Sequence, residues 1–554
     1  MSENHLFSSS SLCLLQMQQE ALLKRKAKDR SFTSKSGIEI QPCYTPDDCK
    51  AFNHSQLGSP GSPPYTRGIY PLMYRTQPWT FRQLAGYGSA VDTNERYRFL
   101  IANGATGING VFDYPTLRGY DSDNPVAEAD LGQGGVAIDS IEDMHLLFKD
   151  IPINEVSVSL VVCNPVMAVP VFAMYLAMAE ERGIPWDCLG GTNQNDFLME
   201  TAITTAPDIL QPHFSFKLST DIVEFCAGNV PRWHPISYTG YNYRESGVNA
   251  IQEVGMVIAN AIATIEEMLR RGYSIDDFAP RLSVFFSADS DFFEEVAKYR
   301  AARRIWFKLL TERYGAIKKN SQTLRFHVQT SGASLTPQQP LNNITRSAYQ
   351  ALAAVLGGAQ SIHVNGYDEA LAIPTEEAAI VALRTQQIIL HETNAAYTAD
   401  PLGGSYFVET LTCELEKKIE EFVSEITAVG GMVAAVETGM IHDVITKAAN
   451  EHFKRVRSGE QKVVGSNCFK HDDEPEIEIF RAPDILQKQK QKLSALRQSR
   501  DARVVDICLE KIRNACLEER NVMPAVLEAV KNRATLEEVC NVFRRYKGGW
   551  KLPL

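Results

Sequence analysis

The chain has 554 residues, of which 44% are hydrophobic and 22% are charged, and its formal net charge is −11. This length suits one large domain with extensions, and the composition is that of an ordinary globular protein. The acidic balance argues against a nucleic-acid-binding protein, because phosphates attract a basic surface. No apolar run approaches the roughly 18–20 residues that span a bilayer, so we expect no membrane contact.

The N-terminus and the cysteines both favour a cytoplasmic protein. The apolar residues 12–15 precede the basic cluster at 24–26, which reverses the order found in a signal peptide. The 11 cysteines are an odd number and contain no C-x-x-C pair. We therefore expect free thiols rather than a disulfide framework or a zinc site.

Three regions follow one another along the chain. Residues 1–64 predict an N-terminal arm with one possible helix near 14–28, ending in a linker rich in Gly, Pro and Ser at 57–65. Residues 65–405 alternate between short strand-like runs and longer helical runs. Residues 406–554 predict a helical and increasingly charged extension.

The alternation in the middle region predicts a parallel α/β sheet. Further strand candidates lie near 84–87, 107–113 and 186–191. The five clearest strands are 155–164, 234–242, 281–287, 323–331 and 359–366. This number of strands, separated by helices, suits a (β/α)8 TIM barrel.

Several of these strands have one apolar face and one polar face, since side chains alternate along a strand. In 323–329, Leu324, Phe326 and Val328 oppose a polar set. The polar face either meets solvent or lines a hollow bore, and we favour the bore because helices cover the outside of a barrel. The predicted lining is Ser157, Ser159, Arg325, His327, Ser361 and Asn365.

Motifs judged by residue type alone give weak signals. The segment 118–125 (RGYDSDNP) is typical of a turn. The pairs His327/Gln329 and His363/Asn365 could ligate a metal, but two histidines without carboxylates seldom form a site, so we expect none. Glu369 follows a predicted strand at its C-terminal end, where barrel enzymes place functional groups.

Longer strings carry a specific resemblance. Over about residues 65–470 the chain resembles the methylmalonyl-CoA mutase family, and most of all the separate large subunits of isobutyryl-CoA and 2-hydroxyisobutyryl-CoA mutases. The matching strings are YPLMYRTQPWTFRQLAGY (70–87), RGYDSDNP (118–125), GTNQND (191–196), EVAKYRAARRIW (295–306), HVQTSG (327–332), NGYDEALAIPT (365–375) and DPLGGSYFVE (400–409).

The resemblance implies a barrel whose bore holds the pantetheine arm of an acyl-CoA, with adenosylcobalamin at the opposite end. Homolysis of the cofactor's Co–C bond then starts a radical rearrangement of the acyl group, and the barrel positions the reactants. By position, the catalytic residues are Gln194, Tyr241, Asn242 and His327. The substrate-binding residues, with the bore serines included, are Tyr70, Met73, Arg82, Leu84, Val111, Ser157, Ser159 and Thr204. The cofactor-binding residues are Gln329, Asn365 and Glu369.

Departures from the family pattern point to the substrate. Leu84 and Thr204 stand where methylmalonyl-CoA mutases place Tyr and Arg against the substrate carboxylate, and Val111 replaces an acidic residue of the hydroxyacyl mutase. We therefore expect a branched acyl group without a free carboxylate, isobutyryl- or pivalyl-like. Asn242 replaces a His that binds the thioester oxygen, and Gln77 replaces an Arg that contacts CoA phosphate.

The cobalt-ligating string D-x-H-x-x-G of this family is absent from the sequence, since Asp143-Met144-His145 continues as Leu-Leu-Phe in a predicted helix. The expectation is that this chain carries no cobalamin-binding domain. A small partner subunit with that motif then holds most of the cofactor, in a dimer of heterodimers. The alternatives are a non-catalytic scaffold subunit, methylmalonyl-CoA mutase proper, and an unrelated barrel lyase acting on acyl-CoA.

Overall fold

A parallel sheet wound around a central bore organises the chain in the computed structural model. The structure describes residues 32–41, 43–49, 57–203, 209–471 and 477–551. The helix expected near 14–28 and the site residue Thr204 lie outside the described residues. None of the helices in the described part of the chain is both long enough and apolar enough to cross a membrane.

The described strands form a small hairpin and one large sheet. The hairpin is antiparallel, and every pairing in the large sheet is parallel, in the order β7-β6-β5-β4-β3-β11-β10-β9-β8. The hairpin strands are β1 (Phe32–Thr33) and β2 (Glu39–Ile40). The sheet strands are β3 (Thr80–Ala85), β4 (Gly107–Val111), β5 (Ser157–Val161), β6 (Gly191–Asn193), β7 (Trp233–His234), β8 (Ile236–Thr239), β9 (Leu282–Ala288), β10 (Phe326–Thr330) and β11 (Ser361–His363).

One strand position of the sheet is split in two. Strand β7 pairs with β6, strand β8 pairs with β9, and only Pro235 separates them. Proline has no N–H to donate to a ladder, which explains the break. The nine strands thus occupy eight positions when β7 and β8 count as one, and the predicted (β/α)8 barrel is confirmed.

Several predicted strand boundaries were wrong by three residues or more. Strand β3 begins at Thr80 rather than near 84, and β6 begins at Gly191 after a turn of 3-10 helix at Trp186–Cys188. The predicted strand 234–242 stops at Thr239, and a short helix follows. There the backbone N–H of Thr239 donates to the Asp196 carboxylate at 2.8 Å, so a side chain takes over from the ladder.

Helices surround the sheet and extend the chain beyond it. The helices that follow the strands are α1 (Ala90–Ala102), α2 (Tyr114–Leu117), α3 (Ile141–Leu147), α4 (Pro165–Glu181), α5 (Pro212–Asn229), α6 (Gly240–Glu245), α7 (Ala250–Arg270), α8 (Ile275–Phe278), α9 (Phe292–Lys308), α10 (Lys319–Gln322), α11 (Asn342–Leu356) and α12 (Glu376–Glu392). The later helices are α13 (Tyr406–Ala428), α14 (Met432–Glu437), α15 (Met440–Ser458), α16 (Leu486–Ser499), α17 (Ala502–Leu517), α18 (Met523–Lys531) and α19 (Leu536–Lys547).

The hydrophobic core lies between the sheet and these helices. Leu324, Phe326 and Val328 are buried in it, together with the inward face of α7. The apolar faces of the strands therefore point outward to the helices, as predicted from their alternation. This arrangement leaves the polar faces for the barrel interior.

The C-terminal helices use the RGYDSDNP segment as an anchor. The Asp121 carboxylate accepts a hydrogen bond from the backbone N–H of Glu537 at 2.9 Å and forms an ion pair with Arg497 at 2.8 Å. The side chain of Asn124 donates to the Glu537 carboxylate at 2.8 Å. What the sequence indicated as a simple turn is thus the point where the first and last thirds of the chain meet.

Candidate active site

A cavity of about 410 Å³ with a largely polar wall lies inside the barrel and extends from the residues that precede the strands as far as Gln194. Its wall is built from the inward faces of the strands, where small hydroxyl side chains leave room that Val, Ile or Leu would fill. Five of the six predicted lining residues are in this wall: Ser157, Ser159, Arg325, His327 and Ser361. The sixth, Asn365, lies two residues beyond the end of β11 and is not in the wall of this cavity, so the predicted hollow bore is confirmed for five of the six residues.

Arginines concentrate at one end of this bore. Arg232, Arg281 and Arg325 each stand immediately before a strand, so parallel pairing brings them to the same end of the barrel. Burial and the charges of Arg325 and Arg232 lower the pKa of Arg281. None of the three forms an ion pair with a carboxylate of the described residues. This end of the cavity, which we call the arginine mouth, therefore favours an anionic ligand.

A fourth arginine, Arg82, projects into the bore from the third position of β3. Its guanidinium donates to the Ser157 hydroxyl at 2.6 Å and to the backbone oxygen of Ile108 at 3.0 Å. Burial lowers its pKa to about 10, which leaves the group cationic at neutral pH. Arg82 carries the positive charge of the mouth further into the cavity.

At the opposite end, the catalytic candidates Gln194 and Asn242 are in contact. The Gln194 amide donates to the Asn242 side-chain oxygen and to the Thr239 hydroxyl, each at 3.0 Å. The Asn242 amide nitrogen is thereby left as the donor of that side chain. Asp196, in the same GTNQND string, holds this region by accepting from the backbone of Thr239 at 2.8 Å and from the hydroxyl of Tyr243 at 3.0 Å.

A second polar group at this end joins residues far apart in sequence. Gln329 donates to the Tyr241 hydroxyl at 2.8 Å and to the Asn365 side-chain oxygen at 3.0 Å. Asn365 in turn donates to the backbone oxygen of Thr330 at 2.8 Å. The ring of Tyr241 is stacked on Phe285, with centroids 4.9 Å apart and planes 4° from parallel. The phenol is therefore held in one orientation at the end of the bore.

His327 is a neutral imidazole on the wall between the two ends. Its Nδ1 lies 2.7 Å from the Ser361 hydroxyl, whereas its Nε2 is buried without a hydrogen-bond partner among the described residues. Burial holds its pKa well below the usual value, and the charge of Arg82 adds to this effect. His327 can hydrogen-bond a ligand but is not charged at neutral pH.

Glu369 faces Glu245, a carboxylate that the sequence did not single out. Glu245 accepts from the Ser331 hydroxyl at 2.8 Å and from the backbone N–H of Ala333 at 2.6 Å. Burial raises the pKa of each carboxyl to about 7, and the charge of Glu245 contributes to the shift at Glu369. No local motif marks Glu245, because only the packing of α6 against the loop after β10 gives it this place.

Four other predicted site residues, Tyr70, Met73, Leu84 and Val111, are not in the wall of this cavity. Leu84 and Val111 are half-buried near the C-terminal ends of the neighbouring strands β3 and β4. Tyr70 is 39% exposed on the surface, and Met73 is buried in the hydrophobic core and does not line the bore. Among the described residues there is no cluster of His, Cys, Asp and Glu that could hold a metal ion.

Comparisons with known proteins agree with this architecture. The family model for methylmalonyl-CoA mutase matches residues 33–549. The 2-hydroxyisobutanoyl-CoA mutase large subunit of Aquincola tertiaricarbonis is 42% identical over 533 residues, which cover 96% of this chain and 94% of that protein. The methylmalonyl-CoA mutase of Escherichia coli is 41% identical over 517 residues, which cover 92% of this chain and 72% of that protein. The human mitochondrial methylmalonyl-CoA mutase is 37% identical over 539 residues, covering 96% and 71%.

The fold is a (β/α)8 barrel with a hollow polar bore, and known mutases match the chain along nearly its whole length. Together these findings define the class of the protein as an isomerase. The chain belongs to the methylmalonyl-CoA mutase family, and this membership implies dependence on adenosylcobalamin. The identities to the hydroxyacyl mutase and to the bacterial methylmalonyl-CoA mutase are nearly equal, at 42% and 41%. Overall sequence identity therefore does not distinguish between the acyl groups on which these relatives act.

Proposed function

We propose that this chain is the substrate-binding large subunit of an adenosylcobalamin-dependent acyl-CoA mutase. Its reaction is a radical 1,2-rearrangement of a branched acyl-CoA without a free carboxylate, isobutyryl- or pivalyl-like. The observation that carries the proposal is the polarity of the bore, which has cations at one end and a hydrogen-bonding cluster at the other. An acyl-CoA has the matching order of phosphates, polar arm and thioester.

The arginine mouth supports the CoA end of the substrate. Arg232, Arg281 and Arg325 can pair with phosphate oxygens, for which guanidinium is well suited. Ser157 and Ser159 offer hydroxyls to the pantetheine arm, and Arg82 lies between the mouth and the reacting end. Gln77, which replaces an arginine of the family pattern, leaves this remaining set to hold the phosphates.

The residues at the other end of the bore fit the adenosyl group of the cofactor. The Glu369 carboxyl accepts no hydrogen bond from the described residues, so it can receive the hydroxyls of a ribose. Gln329, which also donates to Asn365, orients Tyr241 at the same end, where the charge of Glu369 acts on the Tyr241 phenol. When bound, adenosylcobalamin supplies the radical chemistry, for which the protein side chains have no counterpart.

The chain's own contribution to the reaction is to hold and polarise the thioester. Asn242 presents an N–H donor, because its oxygen is already occupied by Gln194. A donor aimed at the thioester oxygen stabilises negative charge that develops there during migration. Tyr241, stacked on Phe285, covers the reacting groups and excludes water.

The acyl pocket supports a substrate without a carboxylate. Leu84 and Val111 lie on adjacent strands and offer only hydrocarbon surface to the acyl group. A carboxylate placed against them would lose its hydration without gaining a partner, at a cost of several kcal/mol. Thr204, which the family pattern assigns to this pocket, lies outside the described residues.

Assembly is proposed from the likeness to a large subunit that this chain covers over 94% of its length. A small cobalamin-binding subunit with a D-x-H-x-x-G motif would complete the enzyme, as a dimer of heterodimers. The ten cysteines among the described residues are free thiols, which supports a cytoplasmic location.

The test is reconstitution with a small cobalamin-binding protein of this family and adenosylcobalamin. We expect kcat/KM for isobutyryl-CoA or pivalyl-CoA to exceed that for methylmalonyl-CoA. Because an apolar pocket discriminates by about 1–3 kcal/mol per methylene, several branched acyl groups should turn over. Methylmalonyl-CoA as the best substrate would refute the pocket assignment, and no isomerisation of any branched acyl-CoA would favour a scaffold subunit instead.

A further inference from the structure

The turn of the N-terminal hairpin binds the barrel at the end of β9. The backbone N–H of Lys35 donates to the Asp291 carboxylate and that of Ser36 donates to the Glu294 carboxylate, each at 3.0 Å. The ammonium of Lys35 donates to both carboxylate oxygens of Asp289, each at 2.7 Å. Asp289 immediately follows β9 and lies 254 residues from Lys35 in the sequence, so the hairpin closes onto a distant part of the barrel.

On its other side, the Asp289 carboxylate reaches the helix α6. It accepts from the guanidinium of Arg244, a buried residue of that helix, at 3.2 Å. The helix has six residues and carries the catalytic candidates Tyr241 and Asn242. Because so short a helix has little stability of its own, contacts with the rest of the protein have to hold it. Lys35, Asp289 and Arg244 thus form a chain of ion pairs from the hairpin to the helix that bears the expected catalytic residues.

The charges around Asp289 explain why the ammonium of Lys35 matters there. The buried members of this charge cluster, besides Asp289, are Arg244, Glu253, Glu295 and Lys298. Together these groups are three carboxylates and two cations, and Lys35 supplies the third cation. Burial opposes the ionisation of Asp289, but the charges of Lys35 and Arg244 outweigh it and hold the pKa of this carboxyl well below its usual range. Without Lys35 one negative charge would be in excess, which is costly in a buried cluster.

We infer that Lys35 is a positioning residue for α6, acting through Asp289 and Arg244 on the orientation of Asn242. This inference rests on the proposed function, which gives Asn242 its role, and deepens it by making the N-terminal hairpin part of what orients the thioester donor. Loss of the Lys35 charge would leave Asp289 to repel the neighbouring carboxylates, and Arg244 would shift among them. Since Asn242 lies two positions before Arg244 on the same short helix, its N–H donor would shift as well.

The test measures amide hydrogen exchange of α6 in the free chain by mass spectrometry. The variant Lys35→Met removes the charge and nearly keeps the length of the side chain. Exchange in α6 should accelerate by about tenfold, because a lost contact lowers the free energy of local opening. Lys35→Arg keeps a cation and should restore wild-type exchange. Lys454→Met, a change at an exposed lysine of α15, should leave exchange in α6 unchanged.

A variant at the acidic partner separates positioning from general destabilisation, and decides the matter if Lys35→Met fails to fold. Asp289→Asn breaks the same chain of ion pairs and should also accelerate exchange in α6. Adding Lys35→Met to it should have no further effect, as expected for residues that act through one contact. Unchanged exchange in α6, equally faster exchange throughout the chain, or additive effects in the double variant would each overturn the inference.

Kinetics of the reconstituted enzyme give a second readout. Lys35→Met should lower kcat about tenfold and change KM for isobutyryl-CoA less than about twofold, because the arginine mouth is untouched. A higher KM with unchanged kcat would overturn the inference. A wild-type enzyme that rearranges no branched acyl-CoA would refute the proposed function alone, since hydrogen exchange in the free chain does not depend on activity.

Discussion

At the scale of single residues, we expect Asn242 to be the departure from the family pattern with the largest effect on the rate. Its oxygen accepts from Gln194 at 3.0 Å, which fixes the amide and leaves an N–H for the thioester oxygen. An asparagine can donate this hydrogen bond but has no titratable proton to share. The chain should therefore be a competent mutase that works below the rate of relatives with histidine.

We predict that Asn242→His raises kcat of the reconstituted enzyme by about 10- to 100-fold, because partial proton transfer to the thioester oxygen becomes available. Asn242→Ala, which removes the donor, should lower kcat by a similar factor. Steady-state kinetics with isobutyryl-CoA measures both. A histidine variant slower than the parent would show that the local packing, with Gln194 as partner, does not accept an imidazole.

Glu369 makes the stability of the free chain depend on pH. Burial, followed by the charge of Glu245, raises its pKa from 4.5 to about 7. A carboxyl with a raised folded-state pKa contributes stability that is complete below pH 4.5 and is lost as the pH rises through about 7. The ionised form is therefore the unfavourable one in the folded chain.

We predict that Glu369→Gln stabilises the free chain at pH 8 by about 1–3 kcal/mol relative to wild type, because it removes a buried charge. At pH 5 the difference should vanish. Thermal unfolding at the two pH values measures this, and Glu392→Gln, a change at an exposed carboxylate, is the control. A pH-independent difference would rule out titration of Glu369 as its cause.

At the scale of elements, strand β5 separates two functions on its two faces. Ser159 lines the bore, and Val158 is fully buried in the helix-facing core. Neighbouring residues of one strand thus belong to the ligand site and to the hydrophobic core respectively. The alternation of a pleated strand is the physical reason.

We predict opposite phenotypes for two substitutions in β5. Ser159→Leu should lower the affinity for isobutyryl-CoA at least about tenfold by filling the bore, with a change of less than about 1 kcal/mol in the free energy of unfolding. Val158→Ser should destabilise the chain by about 2–4 kcal/mol and leave the affinity of the folded fraction unchanged. Calorimetric titration and denaturant unfolding measure the two quantities. Loss of affinity in Val158→Ser alone would contradict the assignment of faces.

At the scale of the whole molecule, the barrel is one body with its C-terminal helices. Asp121 joins the segment after β4 to Arg497 and to the start of α19. Helices α17 to α19 complete the hydrophobic layer around α4. We expect a cobalamin-binding partner to dock at the C-terminal end of the barrel strands, where Glu369 and Asn365 lie.

We predict that the purified chain binds adenosylcobalamin weakly in the absence of a partner. The reason is the missing cobalt-ligating string, which leaves only contacts to the adenosyl group from this chain. Equilibrium dialysis should show no stoichiometric binding at micromolar cofactor, and addition of the small subunit should restore it. Tight binding by the chain alone would exclude the two-subunit arrangement.

The sequence by itself determined the barrel and the character of its bore. A strand's alternation is a local pattern with a period of two, so Arg325 and His327 could be assigned to the inner face without knowing what lies opposite. The family strings assigned Gln194, Gln329 and Asn365 to the expected site, and Tyr241 was assigned there by its position in the resemblance. Strand ends were less predictable, because side chains such as Asp196 replace ladder hydrogen bonds there.

Only the tertiary structure decided which groups meet. Gln329 bridges Tyr241 and Asn365 because barrel closure brings the ends of β8, β10 and β11 together, and no local pattern encodes that convergence. The facing carboxyls of Glu245 and Glu369 have the same origin. The unpaired Nε2 of His327 has the same origin, since a missing hydrogen-bond partner is a property of the packed interior and not of the residue type.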